Sequence, residues 1–196
     1  MVVVLLSGGL DSVTVLWQAV KQGHTVIALS VDYGQRAAET ERRKAAAAAA
    51  SVGVEHLHLA VPLVATVTRS ALTSSGDVSI PADTVVPGRN ALLLSVAAGL
   101  AQSRGATSVL IGCNKTDATH YADCRQEFLA GMGHALDYAY GVSVDAPLLW
   151  STKADVVRLA RSLGVPIDST SSCYNGTACG ECVACVVREA ALLQAT

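Results

Sequence analysis

Two clusters in this 196-residue chain combine residue types and spacings that can do chemistry. The first is Ser7-Gly8-Gly9-Leu10-Asp11-Ser12, set between an apolar run at 2–6 and a stretch carrying Val13, Leu16, Trp17 and Val20 at helical spacing. A strand-to-helix turn built this way can aim several backbone N–H groups and two hydroxyls at one point. Glycine lets the backbone approach a ligand closely, and the helix N-terminus adds positive potential. The segment reads as a phosphate cradle, although neither Gly-x4-Gly-Lys-Ser/Thr nor Gly-x-Gly-x-x-Gly spacing is present. The plainer alternative is a tight turn with Asp11 capping the helix. The second cluster is Cys173-x5-Cys179-x2-Cys182-x2-Cys185, four of the six cysteines. Four thiolates at this spacing can close a tetrahedral site, for which zinc is the expected metal. A full set of protein ligands leaves no open position, so the expected role is structural. Cys113 and Cys124 remain over, for packing or substrate contact.

The elements that must position these groups follow from apolar patterning. Short apolar runs at 2–6, 25–31, 55–61, 108–112 and 143–146 read as strands. Helices are expected at 10–21, 37–52, 90–104, 124–140 and 153–163. The helix at 37–52 has Glu39 four residues before Arg43 and six consecutive alanines, which suits a solvent-facing helix. Residues 62–87 read as a long loop with one helical turn. Strands alternating with helices specify an α/β fold around a mainly parallel five-stranded sheet. Ligands in such sheets sit beyond the carboxyl ends of the strands. That rule would bring together Ser7-Gly8-Gly9, Val31-Asp32-Tyr33 and Gly112-Cys113-Asn114.

Bulk properties exclude several classes. Half the residues are apolar (51%) and 15% are charged, so a sizeable core is available. A net charge of −2 supplies no broad attraction to nucleic acid or to an anionic membrane. The first apolar run is too short for a signal core, no membrane span is expected, and the expected location is the cytoplasm. Clustered cysteines in such a chain favour metal over disulfides.

The loop Ser7 to Ser12 resembles, residue for residue, the PP-loop of the ATP pyrophosphatases, which split ATP into AMP and pyrophosphate while adenylating a substrate. Four further segments are similar to one subfamily, the 7-cyano-7-deazaguanine synthases of queuosine precursor biosynthesis. They are Asp32-Tyr33-Gly34-Gln35-Arg36, Val86-Pro87-Gly88-Arg89-Asn90, the stretch from Gly112 through Asp117 to Phe128, and the cysteine segment; together with the loop they extend the likeness over essentially the whole chain. The resemblance implies an adenine-nucleotide α-hydrolase-like, Rossmann-like three-layer fold, with residues 1–165 as the pyrophosphatase domain and 166–196 as a zinc-binding segment packed on it. It implies conversion of 7-carboxy-7-deazaguanine and ammonia to the nitrile with ATP and Mg²⁺, and a homodimer.

On this reading Ser7, Gly8, Gly9, Leu10, Asp11 and Ser12 hold the nucleotide, together with Ser30, Gln35 and Arg36. Ser7, Asp11, Ser12, Lys153 and Arg89 are the expected catalytic groups. Asp117 and Asp123 are carboxylates suited to the N–H face of a purine-like ring. Asn114, Tyr121 and Phe128 could supply an amide, a hydroxyl and a stacking face. Arg89 and Arg125 could pair with a carboxylate or phosphate, with Asn90 beside them. Taken singly, each of these residues also reads as a cap, a surface charge or a core aromatic, and Lys153 as a helix-starting lysine in water.

Two departures from the subfamily stand out: Ala37 follows Gln35-Arg36 where a histidine is usual, and the Cys173–Cys179 spacing is short. They leave open a specialised branch that stops at the amide or joins the acid to another amine, a protein amine included. Other PP-loop activities, such as tRNA thiolation, and a non-catalytic ATP-sensing module are the remaining alternatives.

Overall fold

The structure, a computed structural model, describes residues 1–62 and 67–195. Five strands, β1 (Val2–Leu5), β2 (Val26–Asp32), β3 (Glu55–Ala60), β4 (Ser108–Leu110) and β5 (Ser143–Asp145), form one sheet in the order β3-β2-β1-β4-β5. Every pairing is parallel. The helices are α1 (Leu10–Lys21), α2 (Ala38–Ser51), α3 (Arg89–Arg104), α4 (Gln126–Tyr140), α5 (Lys153–Leu163) and α6 (Val183–Gln194). The chain builds outward from β1 to β3 on one side and returns to add β4 and β5 on the other. The crevice between the ends of β1 and β4 is therefore the topological switch point, where parallel sheets bind ligands.

The period-two alternation of β1 divides the core. Val2, Val4 and Leu6 pack with Val13, Leu16, Val156, Val157 and Ala191 on the face covered by α1, α2, α5 and α6. Val3 and Leu5 pack with Leu94, Ala98, Leu129 and Leu136 on the face covered by α3 and α4. Both faces of β1 are dry, which is why its sequence is apolar without alternation.

A stretch long and apolar enough to cross a membrane, Pro81–Arg104, has mean hydropathy 1.3. It consists of a short helical turn at Pro81–Thr84 and α3, separated at Gly88, where φ is +77°. Leu94, Ala97, Ala98 and Ala101 of α3 are fully buried against the sheet, so its apolar face is a core face.

Element boundaries differ from expectation by a residue or two, most at α4, which starts at Gln126 after a separate turn at Ala122–Cys124. Of the expected loop 62–87, positions 63–66 lie outside the described residues. The remainder folds back on the cysteine segment, where Tyr33, Leu72, Val78 and Val86 pack with Cys173 and Cys182. The patterning did not reveal α6. Its apolar positions are interrupted by Cys185 and by small alanines, yet Ala191 and Ala195 are buried in the same core as α1.

Candidate active site

Loop 7–12 leaves β1 and enters α1 through a compact bonding pattern. Ser12 Oγ donates to Gly9 O (3.1 Å) and accepts from the Ser7 N–H (3.2 Å), while Ser7 Oγ accepts from the Gly9 N–H (3.3 Å). The first helical bond is Val13 N–H to Gly9 O, at 3.0 Å. The N–H groups of Leu10, Asp11 and Ser12 consequently have no acceptor within the helix. Gly8 is required twice over. Its φ is +75°, and a Cβ there would stand 2.6 Å from Lys44 Cβ and 2.7 Å from the Ala45 nitrogen. Across the crevice, a Cβ on Gly112 would lie 3.0 Å from the Ser12 nitrogen, so the chain leaving β4 presses directly on the loop.

Asp11 does not cap α1: the N-cap is Gly9, with no side-chain cap bond. Its carboxylate instead forms an ion pair with Lys153 through Oδ2 and accepts from Asn114 Nδ2 through Oδ1 (3.2 Å). Asn114 Nδ2 also donates to Asp117 Oδ2 (2.7 Å), and Asn114 Oδ1 accepts from the Asp117 N–H (3.0 Å). Lys153 is the first residue of α5, whose start is fixed by a Thr152–Asp155 capping box. Its backbone N–H donates to Thr116 Oγ1 (3.0 Å), tying α5 to the strand-end loop. The helix-starting lysine is thus aimed into the cleft. Burial opposes its charge, but Asp11 and Asp117 outweigh that and hold it above the usual lysine value. Burial pushes the Asp117 carboxyl up to about 6, Lys153 opposing and the like charge of Asp11 adding to the rise.

The loop opens into a cavity of about 260 Å³ that extends under α3 and the cysteine segment. Of the residues singled out in the sequence, Ser7, Gly9, Asp11, Ser12, Ser30, Gln35, Arg89, Asn90, Asp117, Tyr121 and Lys153 line it. Asn114 stands behind, orienting Asp11 and Asp117. Leu10 is in the core and contributes backbone only. The structure does not bring the others to the wall. Arg36 donates through Nη1 to the Ala71 and Gly76 carbonyls (3.2 and 3.0 Å), bracing the 70–86 segment. Arg125 donates to Ala118 O (3.0 Å) from an exposed position. Phe128 packs against the α3–α4 core. Asp123 binds the start of α3, its Oδ2 accepting from the Asn90 N–H (3.4 Å) and its backbone O from Asn90 Nδ2 (3.0 Å).

The far end of the cavity is aromatic and cationic. Arg89 lies over the Tyr121 ring at 5.9 Å, and the Tyr121 hydroxyl meets those of Thr84 (2.7 Å) and Tyr174 (3.1 Å). Burial pushes Tyr33 up to about 12, against the pull of Arg89. Cys113 and Cys124 are buried on the same wall. The contact with Cys124, then burial, raises the Cys113 thiol well above its ordinary value, which disfavours the nucleophilic thiolate.

Wall residues that the sequence did not single out include Glu41 and Tyr174, while Gly112 and Thr116 line the cavity from the expected strand-end segment. Glu41 was hidden by its setting in α2, whose charges read as a solvated face. The expected Glu39–Arg43 pair is in fact Glu39–Arg42 at 2.7 Å, and α2 turns Glu41 inward. Ala37, at the position where a histidine is usual, also lines the cavity.

The four C-terminal sulfurs lie within 4.8 Å of one another. Two thiolates on one tetrahedral zinc stand about 3.8 Å apart, given a Zn–S distance of about 2.3 Å. Cys173 and Cys179 are 3.6 Å apart, and the N–H groups of Cys182 and Cys185 donate to the sulfurs three residues earlier, at 3.4 Å each. The donor set fits zinc.

Solved structures with a related fold include the NMN synthetase of Francisella tularensis (TM-score 0.57, 22% identity, covering 86% of this chain and 63% of that one). The NH3-dependent NAD synthetase of Campylobacter jejuni is also similar (TM-score 0.55, 20% identity, 86% of this chain and 66% of that one). Closer in sequence is a 7-cyano-7-deazaguanine synthase of Thermoplasma acidophilum, 41% identical over 210 residues, 98% of this chain and 87% of the relative. One from a Synechococcus strain is 41% identical over 211 residues, 98% of this chain and 92% of the relative. The family described as "Queuosine biosynthesis protein QueC" matches residues 1–196, from the glycine loop through the cysteine segment, and the chain belongs to that family.

Proposed function

We propose that this chain is an ATP-dependent carbon–nitrogen ligase that converts 7-carboxy-7-deazaguanine and ammonia into 7-cyano-7-deazaguanine, releasing AMP and pyrophosphate. The observation that carries the reading is the convergence, at one switch-point cleft, of a phosphate-binding loop with the Asp11–Lys153–Asn114–Asp117 cluster. The names of the curated relatives support the substrate.

A carboxylate resists amidation because its leaving group would be oxide. Transfer of adenylate from ATP to the carboxylate releases pyrophosphate and replaces that leaving group with AMP. Ammonia then displaces AMP to give the amide. A second ATP activates the amide oxygen, and loss of AMP with a proton leaves the nitrile. The chain's task is positioning and charge neutralisation, with no covalent intermediate on the protein. The open N–H groups of loop 7–12 and the Lys153 ammonium receive the departing pyrophosphate. Asp11 orients Lys153, and Asn114 keeps the two neighbouring carboxylates apart. Arg89 is placed to meet the substrate carboxylate.

Asp11 and Asp117 offer hard oxygen donors suited to Mg²⁺, which would enter with ATP and neutralise its phosphates. Zinc on Cys173, Cys179, Cys182 and Cys185 would pin the segment that carries Tyr174 into the cavity wall. A cytoplasmic setting suits reduced thiols at that site. Residues 1–165 serve in this reading as the pyrophosphatase domain and 166–196 as a segment packed on it.

Product mass after incubation with the acid, ATP, Mg²⁺ and ammonium tests the proposal. The nitrile is the expected product. Accumulated amide or a protein adduct would move the chain to a specialised branch, and unreacted acid with intact ATP would remove the substrate assignment.

A further inference from the structure

Glu41 is a carboxylate on the cavity wall that the reaction described above does not use. Its Oε2 accepts from Gln35 Nε2 at 2.8 Å. No Lys, Arg or His forms an ion pair with it among the described residues, and its Oε1 has no hydrogen-bond partner there. Burial pushes its carboxyl above the usual range; Gln35 and the charge of Arg89 oppose the rise, and Asp32 adds to it. Glu41 is half-buried and forms no ion pair among the described residues, so its free oxygen is available to donors on a ligand in the cavity.

The arrangement is directional. The buried Gln35 amide accepts from the Tyr33 N–H through Oε1 (2.9 Å), which fixes the NH₂ end toward Glu41. With Oε2 engaged, Oε1 is left for the cavity. Its complement is a ligand edge made of N–H donors. Asp123, a sequence candidate for that task, is instead bound to the start of α3. An adenine edge pairs one donor with a ring-nitrogen acceptor, whose lone pair would face the carboxylate. A 2-amino-4-oxopyrimidine edge presents adjacent N–H donors, and its carbonyl suits Arg89.

We propose that Glu41, oriented by Gln35, is the specificity residue that reads the 2-amino and ring N–H edge of the deazaguanine substrate. This rests on the substrate reading above. The test compares Glu41→Gln with wild type, measuring kcat and KM for the acid, ATP and ammonium, and repeats the acid series with 7-carboxy-7-deazahypoxanthine, which lacks the 2-amino group. The expected result is an increase in KM for the acid of about ten- to a hundred-fold, the usual range for a lost charged hydrogen bond, with KM for ATP and ammonium within about two-fold. Wild type should prefer the acid over the des-amino analogue by about ten-fold or more, and Glu41→Gln should lose most of that preference.

A KM effect confined to ammonium would make Glu41 an ammonium site, and one confined to ATP would make it a nucleotide contact; either overturns the proposal. If Glu41→Gln fails to fold, the wild-type comparison decides, since equal kcat/KM for the acid and its des-amino analogue overturns it. Wild type that turns over the acid without this preference sinks the residue assignment alone. Wild type that leaves the acid untouched sinks the substrate reading, and this proposal with it.

Discussion

The two ends of the cleft are built on opposite principles. At the proposed phosphate end, six consecutive residues offer backbone N–H groups and short hydroxyls, and Gly8 has no room for a side chain. At the far end, Tyr33, Glu41, Arg89, Tyr121 and Tyr174 arrive from separate segments and line the wall with long side chains. In the proposed function the first surface meets a feature common to every ATP. The second, assembled from dispersed positions, can change piece by piece while the loop stays fixed. The proposed function puts substrate choice at the dispersed end.

Changes at the phosphate end should therefore cost the most. Asp11→Ala removes a partner of the buried Lys153, and turnover should fall at least ~100-fold in a chain that stays folded but melts at a lower temperature. Unchanged turnover would take the loop cluster out of the mechanism. Gly8→Ala forces a Cβ onto Lys44 and Ala45 as well as an unfavourable φ, and should destabilise the fold by about 2 kcal/mol or more in chemical denaturation. A neutral result would mean that α2 can withdraw from the loop.

Zinc on the cysteine cluster would link the two ends, because the segment carrying Cys173 also carries Tyr174 on the far wall and Ser171, whose N–H donates to Gly8 O at 3.0 Å. A strong chelator, or Cys182→Ser, should lower the melting temperature and raise KM for the acid more than KM for ATP. Equal effects on both would show that the segment supports the whole cleft.

Asp117 gives a pH test. Its carboxyl ionises near 3.8 in the unfolded chain, and burial raises it to about 6 in the folded one. Below both values the two states are protonated alike. Between them the folded state keeps a proton that the unfolded state has lost, so stability falls as pH rises from about 4 to 6. Asp117→Asn should flatten that fall while lowering activity; an unchanged profile would contradict the assignment. The smallest change is Tyr174→Phe, which removes a 3.1 Å hydroxyl contact to Tyr121 and should cost about 1 kcal/mol of stability with little effect on ATP use.

This contrast also explains what the sequence made legible. The loop is contiguous, so Ser7 to Ser12 could be read directly, and the cysteine spacing likewise. The parallel α/β sheet followed from strands alternating with helices; the order β3-β2-β1-β4-β5 did not, because alternation does not say on which side each new strand adds. Glu41 could not be read this way, because the pattern of α2 reports its charges but not which one its pitch turns inward. Arg36 and Arg125 were misleading for the matching reason: arginine is suited to an anion, but carbonyls of neighbouring loops hold both side chains elsewhere. Gly112 shows its purpose only once β4 is seen against α1.

In the proposed function one cleft adenylates an oxygen on the same carbon twice, first in the acid and then in the amide. The direct measurement is the count of AMP released per molecule of 7-carboxy-7-deazaguanine consumed, with excess ATP, Mg²⁺ and ammonium and the product identified in the same sample. Two AMP per nitrile is the predicted result. One AMP per amide, or no AMP at all, would contradict it.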